Sequence, residues 1–129
     1  MNLIDYGIAV HDVGTTLISL SNITEILLNV DVKNLYLELP KYVEAYEEKV
    51  KKLKQVQPPE AFKDEHNCLI EGLDGIVDAF YYIFLGIDSE NNILEEEIFA
   101  NGLLMINEQE EILLNTTKGM LNKLIFYAL

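Results

Sequence analysis

Apolar residues along this chain recur at alternating spacings of three and four, the pattern of helices that bury one face against other helices. The first run is Leu3, Tyr6, Val10, Val13, Leu17, Leu20, Thr24 and Leu27. The second is Val32, Leu35, Leu39, Tyr42, Tyr46, Leu53 and Val56, with Tyr36, Val43 and Val50 alongside. Pro58-Pro59 then stops the pattern, because a residue before proline is pushed out of the α region and proline supplies no backbone donor. A third run follows through Phe62, His66, Leu69, Leu73, Ile76, Phe80, Ile83 and Ile87. The fourth, Ile98, Ile106, Leu113, Met120 and Leu124, is less regular, and a bend or break is expected at Asn101-Gly102 or Asn115-Thr116-Thr117. Short connections between four such runs predict an all-α, up-down-up-down four-helix bundle. It is a single domain of two long α-hairpins, residues 1–57 and 58–129.

Punctuation refines this picture. Asp31 is placed to cap the second helix, Asp88-Ser89 to turn the chain before the fourth, and Pro59 to open the third at its first helical position. Pro40 interrupts the second run without shifting its phase, which predicts a kinked but continuous helix with the proline on its outer side. Glu47 with Lys51 and Glu48 with Lys52 are spaced for ion pairs on that side. Seven-spaced small residues, Gly7, Gly14 and Ser21 in the first helix and Gly72, Ala79 and Gly86 in the third, predict that these two helices pack closely together.

Composition narrows the functional classes. Half of the residues are hydrophobic, enough for a sizeable core, and the formal net charge is -13 with no Arg and no Trp. An acidic chain without a guanidinium fork is poorly suited to bind nucleic acid or an anionic membrane directly. The charge is uneven: residues 1–57 hold 8 acids and 6 lysines, residues 58–129 hold 14 acids and 3 lysines. The longest uncharged run of the first helix, Val13 to Thr24, is too short to span a bilayer, and the residues from Met1 to Asp5 lack a positive n-region. A cytoplasmic location is expected. The single cysteine, Cys68, cannot form an internal disulfide and is expected to be partly buried and structural.

The candidate chemistry is sparse. His66 occupies a core-seam position, where it is either a hydrogen-bonded structural histidine or a ligand contact. A di-metal carboxylate bundle needs Glu three residues before each of two histidines, but Lys63 precedes His66 and Ile8 precedes His11 at that spacing. Cys68 lies about 200° around the helix from His66, so the two do not form a nucleophile–base pair. No metal ligand set, cofactor motif or catalytic residue emerges, and the chain is expected not to be an enzyme. Two surface features remain. Glu95, Glu96, Glu97, Glu108, Glu110 and Glu111 make the last helix strongly acidic, a solvated face or a mimic of phosphate. Ile4, Ile8, Ile18, Tyr81, Tyr82 and Leu85 fall outside the seams and are candidates for an exposed apolar patch.

The segment from Pro58-Pro59-Glu60-Ala61-Phe62 to His66, followed by Leu69, Gly72 and Leu73, resembles a pattern in uncharacterised four-helix proteins and lipoproteins of Gram-positive bacteria. It covers about a tenth of the chain. In those proteins the prolines open the third helix and the histidine follows a turn or two later. The resemblance implies a bacterial helical bundle and carries no catalytic residue across; a lipobox cysteine and signal peptide are missing here. Together these features predict a non-enzymatic protein acting through contacts with a protein partner or a second copy. The alternatives are an acidic inhibitor that imitates nucleic acid, and a small-ligand sensor with His66 lining an apolar pocket.

Overall fold

The structure is a computed structural model that describes residues 3–19 and 23–128, with side chains for all of these except 13, 14, 16–19, 23, 24, 127 and 128. Among the described residues the chain is all-α apart from one two-residue strand pair. Helices α1 (Leu3–Ser19) and α2 (Ile23–Asn29) carry the first apolar run, and α3 (Val32–Gln55) carries the second. A 3-10 turn over Glu60–Phe62 leads into α4 (Lys63–Leu85). Strands β1 (Ile87–Asp88) and β2 (Ile93–Leu94) follow, and α5 (Glu96–Ala128) closes the chain. The expectations placed on the Val13, Gly14, Leu17, Ile18, Leu20, Ser21 and Thr24 side chains lie outside the described residues.

Cross-helix pairs define the topology. Tyr46 meets Phe80 while Tyr36, ten residues earlier, stacks on Phe84, so α3 and α4 run antiparallel. Gly72 faces Leu113 and Gly86 faces Ile98, which sets α4 antiparallel to α5. Gly7 faces Leu124, placing α1 on α5, and Asp12 bonds Lys49 at 2.7 Å, closing the ring between α1 and α3. The cyclic order is therefore α1, α3, α4, α5, with α1 diagonal to α4. Its axis is filled by Tyr6, Leu39, Tyr46, Phe62, Leu69, Leu73, Ile76, Phe80, Ile106, Leu113 and Met120, all fully buried.

Several elements follow the sequence reading. Asp31 caps α3 by accepting from the Asn34 amide at 2.8 Å. Helix α3 runs through Pro40, which is exposed; the missing N–H is that of the bond to the Tyr36 carbonyl, on the solvent side. Lys52 pairs with Glu48 at 3.4 Å, whereas Glu47 accepts from the Tyr81 hydroxyl of α4.

Other elements differ, for identifiable reasons. Pro59 caps the 3-10 turn and does not begin the α-helix, because Phe62 must swing into the core before α4 starts. Helix α4 ends at Leu85, so Ile87 belongs to a strand and pairs with Leu94. The turn between the strands is held by Asp88, whose carboxylate accepts from the Asn91 amide and side chain, and by Asn92 at φ 54°. Such short strands have no readable period. Helix α5 is unbroken through Asn101-Gly102 and Asn115-Thr116-Thr117. Gly102 is a packing notch: a Cβ there would meet the Ile83 side chain and lie 3.6 Å from the Ala79 carbonyl. Among the described residues of the two stripes, Gly7 of α1 and Gly72 and Gly86 of α4 accordingly face α5 and not each other. Cys68 is exposed, since the turn that buries His66 and Leu69 points position 68 outward.

Candidate functional site

His66, in the first turn of α4, is buried at the end of the bundle marked by the two prolines. Its Nε2 lies 2.9 Å from the Leu53 carbonyl and its Nδ1 2.9 Å from the Tyr6 hydroxyl. A carbonyl only accepts, so Nε2–H donates to Leu53 and the neutral ring accepts from Tyr6 O–H at Nδ1. Burial pushes the imidazole pKa down, against the weaker upward pull of the Leu53 carbonyl. Burial, then the charge of Glu65, pushes the Tyr6 phenol up. Phe62 packs on Tyr6 with ring centres 5.6 Å apart, and Lys123 lies 5.8 Å above the Phe62 ring while pairing with Glu65. The cluster ties α1, α3, α4 and α5 together. Both imidazole nitrogens are held by the protein itself, which leaves His66 no atom with which to grip a ligand.

A second set of polar atoms lies inside the bundle without partners. The Tyr46 hydroxyl, Glu110 Oε1 and Thr117 Oγ1 are all buried and unbonded. Helix α5 places Leu103, Ile106, Glu110, Leu113, Thr117, Met120 and Leu124 at alternating spacings of three and four, so Glu110 and Thr117 occupy seam positions. Burial pushes the Glu110 carboxyl up to about 7. Burial, then the Glu110 charge, pushes the Tyr46 phenol up. Glu110 is thereby set apart from Glu95, Glu96, Glu97, Glu108 and Glu111, which are exposed.

The surface supplies the most developed site. Between α3 and α4 runs a furrow of about 280 Å³ floored by Leu39, Val43, Phe80 and Phe84, with Pro40 and Tyr81 on its sides. Its acidic lining is Glu44 and Glu47. Past Glu47 the furrow turns polar, where Val50, Lys51, Lys54, Gln55 and Asp74 line a further 460 Å³. The helices form it because Pro40 offers a short ring where a longer side chain would fill the gap. The Tyr81 hydroxyl, donating to Glu47 at 2.9 Å, spans the furrow at the change from apolar to polar.

Of the suggested apolar patch, Tyr81 therefore lines the α3/α4 furrow, Leu85 is 80% exposed one turn further along α4, and Tyr82 is half-buried. Ile4 and Ile8 are exposed on α1, across the bundle, so these residues form two surfaces and not one. The furrow's contributors from α3, Pro40 and Val43, were read in the sequence only as helix punctuation and seam. Their shared position becomes visible only when α3 and α4 are paired in register. Among the described residues, no cluster of three or more His, Cys, Asp or Glu is arranged to hold a metal ion, and no helix is long and apolar enough to cross a membrane. No protein-family model, curated protein or solved structure matches the chain.

Proposed function

We propose that this protein is a non-enzymatic interaction module whose α3/α4 furrow receives a segment of a partner protein. The observation that carries this reading is the furrow itself: Pro40, Val43, Tyr81 and Phe84 left partly or fully accessible between two helices over a floor of buried Leu39 and Phe80, with Glu44 and Glu47 as its acidic lining. An apolar channel edged by carboxylates suits a segment that presents one or two apolar anchors and a neighbouring Lys or Arg. The net charge of -13 favours approach of a basic partner and discourages an acidic one. The polar continuation past Glu47, with both Lys54 and Asp74, suits the hydrophilic remainder of that segment.

The test is paired co-purification of the wild-type chain and the Glu44→Lys variant from the cells that make it. Glu44 is exposed and makes no contact on which the fold depends, so the variant changes only the furrow's edge. The expected result is a specific protein that is retained by wild type, released by salt and lost with Glu44→Lys. An identical set of proteins on both would overturn the reading.

A further inference from the structure

Helix α5 carries its spacing pattern twice. The residue after each member of its buried seam belongs to a second run, which starts at Leu104 and passes through Asn107, Glu111, Leu114, Lys118 and Leu121 to Ile125. One residue is about 100° around a helix, so this second seam lies on the neighbouring face, and all of its members are exposed. Its leucine and isoleucine side chains are between 44% and 61% exposed. The face continues onto α1, where Ile4 and Ile8 are exposed and where Val10, His11 and Thr15 line a cleft of about 380 Å³ shared with Leu114 and Leu121. Alternating spacings of three and four are the pattern by which one helix packs along another. Among the described residues, the bundle itself covers only the first seam.

The charges on the second seam indicate what covers it. It holds one acid, Glu111, and one base, Lys118, and so is neutral in a chain of formal net charge -13. Two copies can meet there without the repulsion that the net charge otherwise imposes. When two α5 helices pack antiparallel about a two-fold axis between Leu114 and Asn115, Glu111 of each copy lies opposite Lys118 of the other, and Leu104 lies opposite Ile125. The same arrangement holds Glu95, Glu96 and Glu97, at the start of each α5, at opposite ends of the pair, with the helix dipoles opposed. Parallel packing would instead set Glu111 on Glu111, Lys118 on Lys118 and the two acidic starts together, all of it repulsive. The seam therefore supplies its own complement, in one orientation.

We propose that the α1/α5 face is a self-association surface: two copies pair as an isologous dimer with α5 antiparallel to α5, Glu111 against Lys118 of the second copy, and each α5 over the mouth of the other's α1/α5 cleft. The seam is about 32 Å long and one helix wide, at the small end of specific interfaces, so the dimer is weak and reversible, with Kd about 10–100 µM. The α3/α4 furrow lies on the opposite edge of the bundle, stays open in the dimer and does not depend on this pairing.

Sedimentation equilibrium of the full chain in reducing buffer, which keeps the exposed Cys68 from cross-linking copies, tests this. A reversible monomer–dimer equilibrium is expected between about 1 µM and about 1 mM. Leu121→Glu should leave a monomer, whereas Ile112→Glu, which adds the same charge to α5 away from the seam, should dimerise as wild type does. Charge reversals separate pairing across the two-fold from net charge. Glu111→Lys makes the chain less acidic and Lys118→Glu makes it more so, yet each sets like charges opposite and should weaken the dimer several-fold. The double variant Glu111→Lys/Lys118→Glu should recover wild-type association, which parallel packing would not allow. A protein that is monomeric at about 1 mM overturns the proposal, as does a dimer that Leu121→Glu leaves intact. Association strengthened by Glu111→Lys, or not recovered in the double variant, overturns it too.

Discussion

His66 donates its Nε2 proton to the Leu53 carbonyl at 2.9 Å, and so joins the start of α4 to the end of α3 across the two prolines that separate them. The loop from Val56 to Pro59 is thereby closed by a buried side-chain bond, and the same ring reaches on to Tyr6 of α1. Replacing His66 with Phe preserves bulk but leaves the Leu53 carbonyl and the Tyr6 hydroxyl unpaired in the interior. Loss of about 2–4 kcal/mol is expected in urea unfolding. Tyr6→Phe, which removes only one of the two bonds, should cost about 1–2 kcal/mol.

His66 and Glu110 act in opposite directions on stability between about pH 4.5 and 7. The folded-state pKa of His66 is lowered, so its contribution is complete above its unfolded value of 6.5 and is lost as pH falls. That of Glu110 is raised from 4.5 to about 7, so its contribution is complete below 4.5 and is lost as pH rises through 7. The lowered pKa values of Asp12, Glu65 and Asp88 act further down, below about 4.5, where those carboxylates protonate. The two slopes oppose each other between about pH 4.5 and 6.5, so wild type should have a flatter stability profile there than either group alone would give. Glu110→Gln should abolish the loss on the alkaline side, raising stability at pH 7.5 by about 2 kcal/mol and leaving a profile that rises with pH. Thermal melts of both proteins across this range check the sign.

Glycines on α5 separate two effects of the same substitution. A Cβ on Gly102 would collide with Ile83, whereas one on Gly119 would meet nothing within 4 Å. Gly119→Ala should stabilise the helix by up to about 1 kcal/mol. Gly102→Ala has the same helical gain but forces Ile83 to move, so a net loss of about 1–2 kcal/mol is expected. Denaturant midpoints of the two variants provide the comparison.

The sequence disclosed α3 and α4 well because their buried positions are almost all apolar, and His66 stands in a seam where only its burial needed explaining. Helix α5 was harder to read. Its seam includes Glu110 and Thr117, which look like surface residues, and its notch residue Gly102 looks like a breaker. The small residues signalled close approach but not the partner, since a Gly stripe gives no information about which helix presses into it. The furrow was least legible of all. It depends on Pro40 and Val43 standing opposite Phe80 and Phe84, a register set by the turn at Pro58-Pro59 and the Leu53–His66 bond, and on no local motif.

The central claim, that the α3/α4 furrow receives a protein segment, is tested most directly by photo-crosslinking. Benzoylphenylalanine introduced in place of Tyr81, on the side of the furrow, is compared in cells with the same group in place of Ile112, half-exposed on α5. The account predicts a discrete adduct from position 81, mapped to a segment with an apolar residue next to Lys or Arg, and suppressed by Glu44→Lys. Adducts from position 112 alone, or an adduct at 81 indifferent to Glu44→Lys, would contradict it.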